Sequence, residues 1–171
     1  MDWTIVRPPA VYGPRDTAFL TLFEAAKKHL LPRFGGGKQQ LTLVYVEDLA
    51  AAIVAALTHD NAVREVFFAG SPEVVTAGEL AQCIAKELSV WTLSLPLPNA
   101  VLWLACQASE WRSRITRKPN VLNAQKFAEL VAPGWVCDVT HLRSEVGYEC
   151  RTHLREGVAK TRDWYRAQGW L

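Results

Sequence analysis

The opening strand limits what this chain can fold into. "WTIVR", Trp3 to Arg7, is β-prone and apolar almost throughout, and Pro8 and Pro9 follow it directly. Proline offers a sheet ladder no amide donor, so the strand stops there. A strand without polar alternation is covered on both faces, as in a parallel sheet. The rest of the chain supplies what such a sheet needs, because strand-like and helix-like segments alternate along it.

The spacing of Phe19, Leu20, Phe23, Ala26 and Leu30 predicts a helix over Thr17–Leu31, capped by Thr17 and stopped by Pro32. A turn around Gly35–Gly37 leads to a short strand, Leu41–Val46. A helix over Glu47–His59 follows, its acidic first turn suited to the macrodipole. Arg64–Gly70 reads as a second buried strand, closed by Gly70-Ser71-Pro72. Thr76 and Glu79 form a capping box that opens the next helix. Beyond an extended stretch at Trp91–Pro98, helices are predicted over Asn99–Ile115, Asn123–Val131 and Thr140–Tyr148. An amphipathic helix over His153–Trp170 presents Leu154, Val158, Thr161 and Trp164 or Tyr165. The class is α/β, and no linker divides the chain.

Composition narrows the functions. With 171 residues, half of them apolar, the chain buries a core rather than staying disordered. A net charge of +2 and the lack of a basic stripe with interleaved aromatics argue against nucleic acid. Cys83, Cys106, Cys137 and Cys150 form no C-x-x-C pair, so they read as free thiols of a reducing, cytoplasmic compartment rather than metal ligands. No signal peptide is expected. The most membrane-like run, Ala100–Cys106, is far below the roughly 20 residues a span needs. It reads as a buried helix face, with membrane-surface contact the alternative.

The segment Pro8 to Pro14 carries the candidate site. Ligands of open α/β sheets sit beyond the carboxyl ends of strands. Prolines there fix the backbone, and a held C=O and N–H pair suits a planar carboxamide. Gly13 allows a sharp turn. A rigid strand-to-helix loop without a ligand is the alternative. The order "WTIVRPPAVYGPRD", "LVYVEDLAAAIVAAL", "VFFAGSPEVVTAGELAQCIAKEL" and "CDVTHLRSEVGYECRTHLREGVAKTRDWYRAQGWL" resembles the second half of an extended short-chain dehydrogenase/reductase of the NAD-dependent epimerase/dehydratase family.

The resemblance implies a partial Rossmann-type sheet, with late strands at about 3–7 and 64–70. These interleave with a substrate-binding region at about 15–60 and 90–171, in a single incomplete domain. It implies that Pro8 and Val11 offer backbone groups to the nicotinamide of NAD or NADP, and that Ala10, Tyr12 and Arg15 face the substrate. Asp48 would brace or cap its helix, and Trp164 would pack. The family also uses a glycine-rich phosphate turn and a tyrosine with a lysine four residues on. Neither occurs here: Tyr12, Tyr45, Tyr148 and Tyr165 all lack that lysine. No catalytic residue is therefore assigned. The chain is expected to be a C-terminal portion, inactive alone, whose cofactor half lies upstream.

Nucleotide-sugar members usually place asparagine at the position of Ala10 and a phosphate-clamping arginine at that of Leu41. Alanine and leucine do neither, which leaves Arg15, Arg33 or Lys38 as the cations for a diphosphate. The pattern resembles the 3β-hydroxysteroid dehydrogenase-like and dihydroflavonol reductase-like branch, which implies an apolar secondary alcohol or ketone as substrate. Leu93–Cys106, with Trp91 and Trp103, would form a pocket, a lid or plain core. The alternatives are part of a nucleotide-sugar epimerase, or a non-catalytic binding or assembly module. An open flank on the first strand predicts self-association or pairing with an N-terminal portion.

Overall fold

A computed structural model describes residues 1–33, 37–96, 98–116 and 124–171. β1 (Ile5–Arg7) lies parallel to β5 (Val66–Phe68), with Ile5 opposite Val66 and Arg7 opposite Phe68. Pro8 and Pro9 then turn the chain out of that ladder and into a second sheet. There β2 (Ala10–Tyr12) runs parallel to β4 (Gln40–Tyr45), which also pairs with β6 (Val74–Thr76, antiparallel) and β8 (Gly134–Trp135, parallel). A third pair joins β3 (Leu30–Arg33) to β7 (Leu93–Pro96), again parallel. The fold is α/β with mostly parallel pairing. The proline corner is thus a bridge between two sheets and contains a strand of its own. Three residues between a proline pair and a glycine carry too little pattern to announce that strand.

α1 (Thr17–Lys27) is shorter than its spacing predicts. His29 adopts a left-handed φ of 60°, and Leu30 and Leu31 leave the helix to pair with Leu93 and Ser94. Tertiary pairing overrides the local period here. The cap is also different. Asp16, not Thr17, accepts from the amides of Ala18 (2.8 Å) and Phe19 (3.1 Å), leaving Thr17 as the first helical residue. Of the expected turn at Gly35–Gly37, residues 35 and 36 lie outside the described residues, as does Asn123, and Gly37 has a φ of 74°.

α2 (Val46–Leu57) carries Glu47 and Asp48 in its first turn and has no side-chain cap. α3 (Ala77–Leu88) has the Thr76–Glu79 capping box. α4 (Asn99–Thr116) and α5 (Ala124–Val131) follow β7. α6 (Thr140–Val146) ends at Gly147, and α7 (Leu154–Ala167) closes the fold.

Two clusters hold these elements. In the larger, Phe23 and Ala26 of α1, Ile84 of α3 and Val158 and Tyr165 of α7 are fully buried, together with Tyr12, Leu43 and Tyr45 of the second sheet. The Tyr165 hydroxyl donates to the Asp16 carbonyl at 2.6 Å, tying the last helix to the cap of the first. Between α3 and α7, Arg162 meets Glu87 at 2.7 Å with both side chains largely buried. In the smaller cluster, the alanines Ala52 and Ala56 bring α2 close to Phe67 of β5 and Leu142 of α6.

Asp16→Ala removes a cap and is expected to lower stability by about 1 kcal/mol, whereas Thr17→Ala shifts it by less than about half that. Urea midpoints of the two variants check the assignment. Gly157→Ala is a harsher change, because a Cβ there would fall on the Tyr12 hydroxyl and within 2.9 Å of its ring. A loss of about 1–3 kcal/mol is expected from overpacking.

Candidate functional site

A cleft of about 820 Å³ opens where the two sheets meet. Pro8, Pro9 and Ala10 form one bank, and Gln39 and Leu41 line the floor at the start of β4. Phe68 comes from the end of β5, Glu129 and Leu130 from α5, and Trp135 to Asp138 from β8 and the segment after it. The far bank is pinned by polar contacts. Gln39 Nε2 donates to the carbonyls of Glu129 (2.9 Å) and Ala132 (3.0 Å) at the end of α5. Trp135 Nε1 donates to the Glu129 carbonyl at 3.3 Å. The Cys137 amide donates to the Thr42 hydroxyl at 3.3 Å, and Thr42 is itself buried in β4.

The sequence-predicted residues divide clearly. Pro8, Ala10 and Leu41 lie together on the cleft. Val11 is 37% exposed but does not line it. Tyr12 departs from the expectation that it faces substrate. It is 3% exposed, its ring packs 5.0 Å from Phe19 and 5.7 Å from Tyr45, and it belongs to the core. Packing is the reason: the ring is taken up between Phe19 of α1 and Tyr45 of β4 in the larger core cluster. Arg15 is exposed, has a φ of 71°, and is not a lining residue. Lys38 is exposed and also off the cleft, and the side chain of Arg33 is outside the described residues. Sequence reasoning missed Phe68, Trp135 and Cys137. They arrive from distant segments, and no spacing links them to the corner.

The lining is mainly apolar. Its charged members are Glu129 and Asp138, and no lysine or arginine is among the described residues that line it. The backbone beside it suits a planar amide. β2 pairs with β4 on one side, and among the described residues no strand pairs its other edge. Next to Pro8, that edge can offer N–H and C=O groups to a carboxamide, so these residues fit the nicotinamide end of a dinucleotide.

Burial pushes the phenols of Tyr12, Tyr165, Tyr45 and Tyr148 above their ordinary value. A proton-exchanging phenol needs the opposite shift. Lys160 does approach Tyr45, but with its Nζ over the ring face, 5.5 Å from the centroid. Asp48 is a brace: its carboxylate accepts from the Thr152 amide (2.8 Å) and hydroxyl (3.0 Å), and its carbonyl accepts from the Tyr148 hydroxyl (3.1 Å). Among the described residues, no group of three His, Cys, Asp or Glu could hold a metal ion. Among the same residues, no helix is long and apolar enough to cross a membrane.

Comparison with known proteins gives a consistent likeness. Residues 1–70 match the NAD dependent epimerase/dehydratase family. The chain is 31% identical over 176 residues to the ceramide reductase of Caulobacter vibrioides, covering 98% of this chain and 52% of that protein. Among solved structures, a UDP-glucose 4-epimerase of Thermotoga maritima with UDP-glucose superposes with a TM-score of 0.71 at 19% identity, over 98% of this chain and 47% of that one. A UDP-glucuronic acid 4-epimerase of Bacillus cereus with UDP-glucuronic acid and NAD gives 0.69 at 20% identity, over 96% and 45%. These two show the fold. The chain spans about half the length of the curated relatives it matches.

Cys137 offers a direct check on the cleft. Burial raises its thiol pKa, and the Thr42 hydroxyl offsets this only in part. The thiolate fraction near neutral pH is therefore below that of a free cysteine. Alkylation of Cys137, followed by peptide mass spectrometry, is expected to be slower than that of glutathione at pH 7 and to accelerate as pH rises past 9. Fast labelling at pH 7 would show that the thiol stands open to solvent.

Proposed function

Taking the epimerase/dehydratase-like fold as premise, we propose that this chain is the substrate-side portion of an NAD(P)-dependent oxidoreductase acting on an apolar secondary alcohol or ketone. One observation carries the reading. The cleft beside the proline corner is lined by Pro8, Pro9, Ala10, Leu41, Phe68 and Trp135, and its charged members are acidic. Among the described lining residues, a diphosphate there would meet the acidic Glu129 and Asp138 and no lysine or arginine. An apolar body of steroid, flavonol or long-chain type would instead bury against carbon, at about 25 cal/mol per Å². The relative named ceramide reductase favours the long-chain version.

In this reading Pro8 and Val11 hold the carboxamide end of NAD or NADP through backbone groups at the free edge of β2. The bound cofactor supplies hydride transfer. Ala10 and Leu41 keep the substrate side free of polar competition, and Gln39 can orient a hydroxyl. A cofactor-binding portion that brings the phosphate turn and the tyrosine–lysine pair completes the site. It adds parallel strands on the open flank of β1, where Trp3 and Ile5 are exposed. The four thiols are free, in keeping with a cytoplasmic setting.

Trp135 on the cleft wall provides the measurement. Titration with a steroid ketone or a long-chain ketone is expected to change its fluorescence with saturation, while a UDP-sugar leaves it unchanged. Saturable binding of the UDP-sugar alone would overturn the apolar reading in favour of a nucleotide-sugar substrate. Leu41→Arg places a charge on the cleft floor and is expected to weaken the apolar ligand roughly tenfold or more, since a buried leucine contributes about 1.5–3 kcal/mol.

A further inference from the structure

The cleft carries two kinds of surface. Pro8, Pro9 and Leu41 offer only carbon, while the far bank sets the indole of Trp135 beside the acidic side chains Glu129 and Asp138. Phe68 adds a second aromatic ring from the end of β5. Trp135 gives its Nε1–H to the Glu129 carbonyl at 3.3 Å, and 53% of the residue stays exposed. With the N–H engaged, what the indole has left for a ligand is its π-face. That face attracts cations.

Asp138 supplies a full negative charge at the same place. Its Oδ1 accepts from the Thr140 hydroxyl at 2.7 Å and the Thr140 amide at 2.9 Å. These bonds hold the carboxyl below the usual carboxylate range, so it is ionised at neutral pH. Both are made at Oδ1, which leaves Oδ2 for a ligand. His141, on the first turn of α6, is itself engaged by Glu65 at 3.2 Å.

A wholly neutral apolar ligand gains nothing from such a wall and must partly desolvate it. An apolar body that ends in an ammonium group uses every part of it. The body lies against the prolines and Leu41, and the cation meets the indole face and the carboxylate. We propose that the cleft takes an apolar substrate bearing a protonated amine, selected by Asp138 and Trp135. This rests on the apolar-substrate reading and adds a charge requirement to it.

The test is calorimetric titration of the chain at pH 7 with three ligands that share one decyl chain. They end in a primary amine, its N-acetyl amide and an alcohol. The amine is expected to bind about fivefold more tightly, or better, than either neutral ligand. Its advantage should shrink as salt is raised, a readout that needs no variant to fold. It should be lost in Asp138→Asn, which keeps an oxygen for Thr140 to bond. Equal affinity for all three ligands would overturn the proposal and leave the apolar reading standing. An advantage that survives Asp138→Asn unchanged would overturn it too, since the charge would then be read elsewhere. No saturable binding by any of the three removes both readings together.

Discussion

The close approach of Pro9 to Gly70 sets the position of everything around the cleft. A Cβ on Gly70 would come within 2.9 Å of Pro9 Cγ and 2.8 Å of Thr42 Cγ2. Only a residue without a side chain lets the end of β5 pass so near both the corner and β4. The Ser71 amide then donates to the Leu43 carbonyl at 2.8 Å, locking the exit of β5 onto the second sheet. With that junction made, Phe68 and Ala10 necessarily face a common space, and the two sheets diverge from it to leave the cleft. The stiffness of the Pro8-Pro9 pair keeps the bank from collapsing inward.

The far bank is held by different means. It rests on hydrogen bonds from Gln39, Trp135 and Cys137. Each is a neutral bond, contributing about 1 kcal/mol net. One bank is therefore fixed by covalent geometry and the other by a few reversible contacts. Asp48, by contrast, is remote from the cleft and spends both carboxylate oxygens on Thr152, so it fastens α2 to the approach of α7.

How much of this was legible depended on whether the signal was local. The Thr76–Glu79 capping box announced α3, and the apolar stripe of α7 announced its buried Val158, Thr161 and Tyr165. β1 and β5 were visible as apolar runs closed by proline or glycine. The C-terminal limit of α1 was not, because Leu30 and Leu31 continue the helical period and are diverted by a partner strand more than sixty residues on. Pro8 could be brought to the cleft because a strand end fixes where a ligand sits, whereas Ala10 and Leu41 were reached only through the family resemblance. Tyr12 could not be placed, since a residue in a three-residue strand changes face with a register shift of one. Trp135 and Cys137 reach the cleft through β8, a two-residue strand with no period to read.

The pairing of β1 with β5 has a consequence for how the chain acquires its shape. Ile5 meets Val66 only after α1, β4 and α2 have been traversed. A three-residue parallel ladder cannot outlive the open loop that separates its partners. During synthesis the edge of β1 that meets β5 must therefore wait until Val66–Phe68 has been made. Pairing across so long a stretch of chain slows folding relative to a local hairpin.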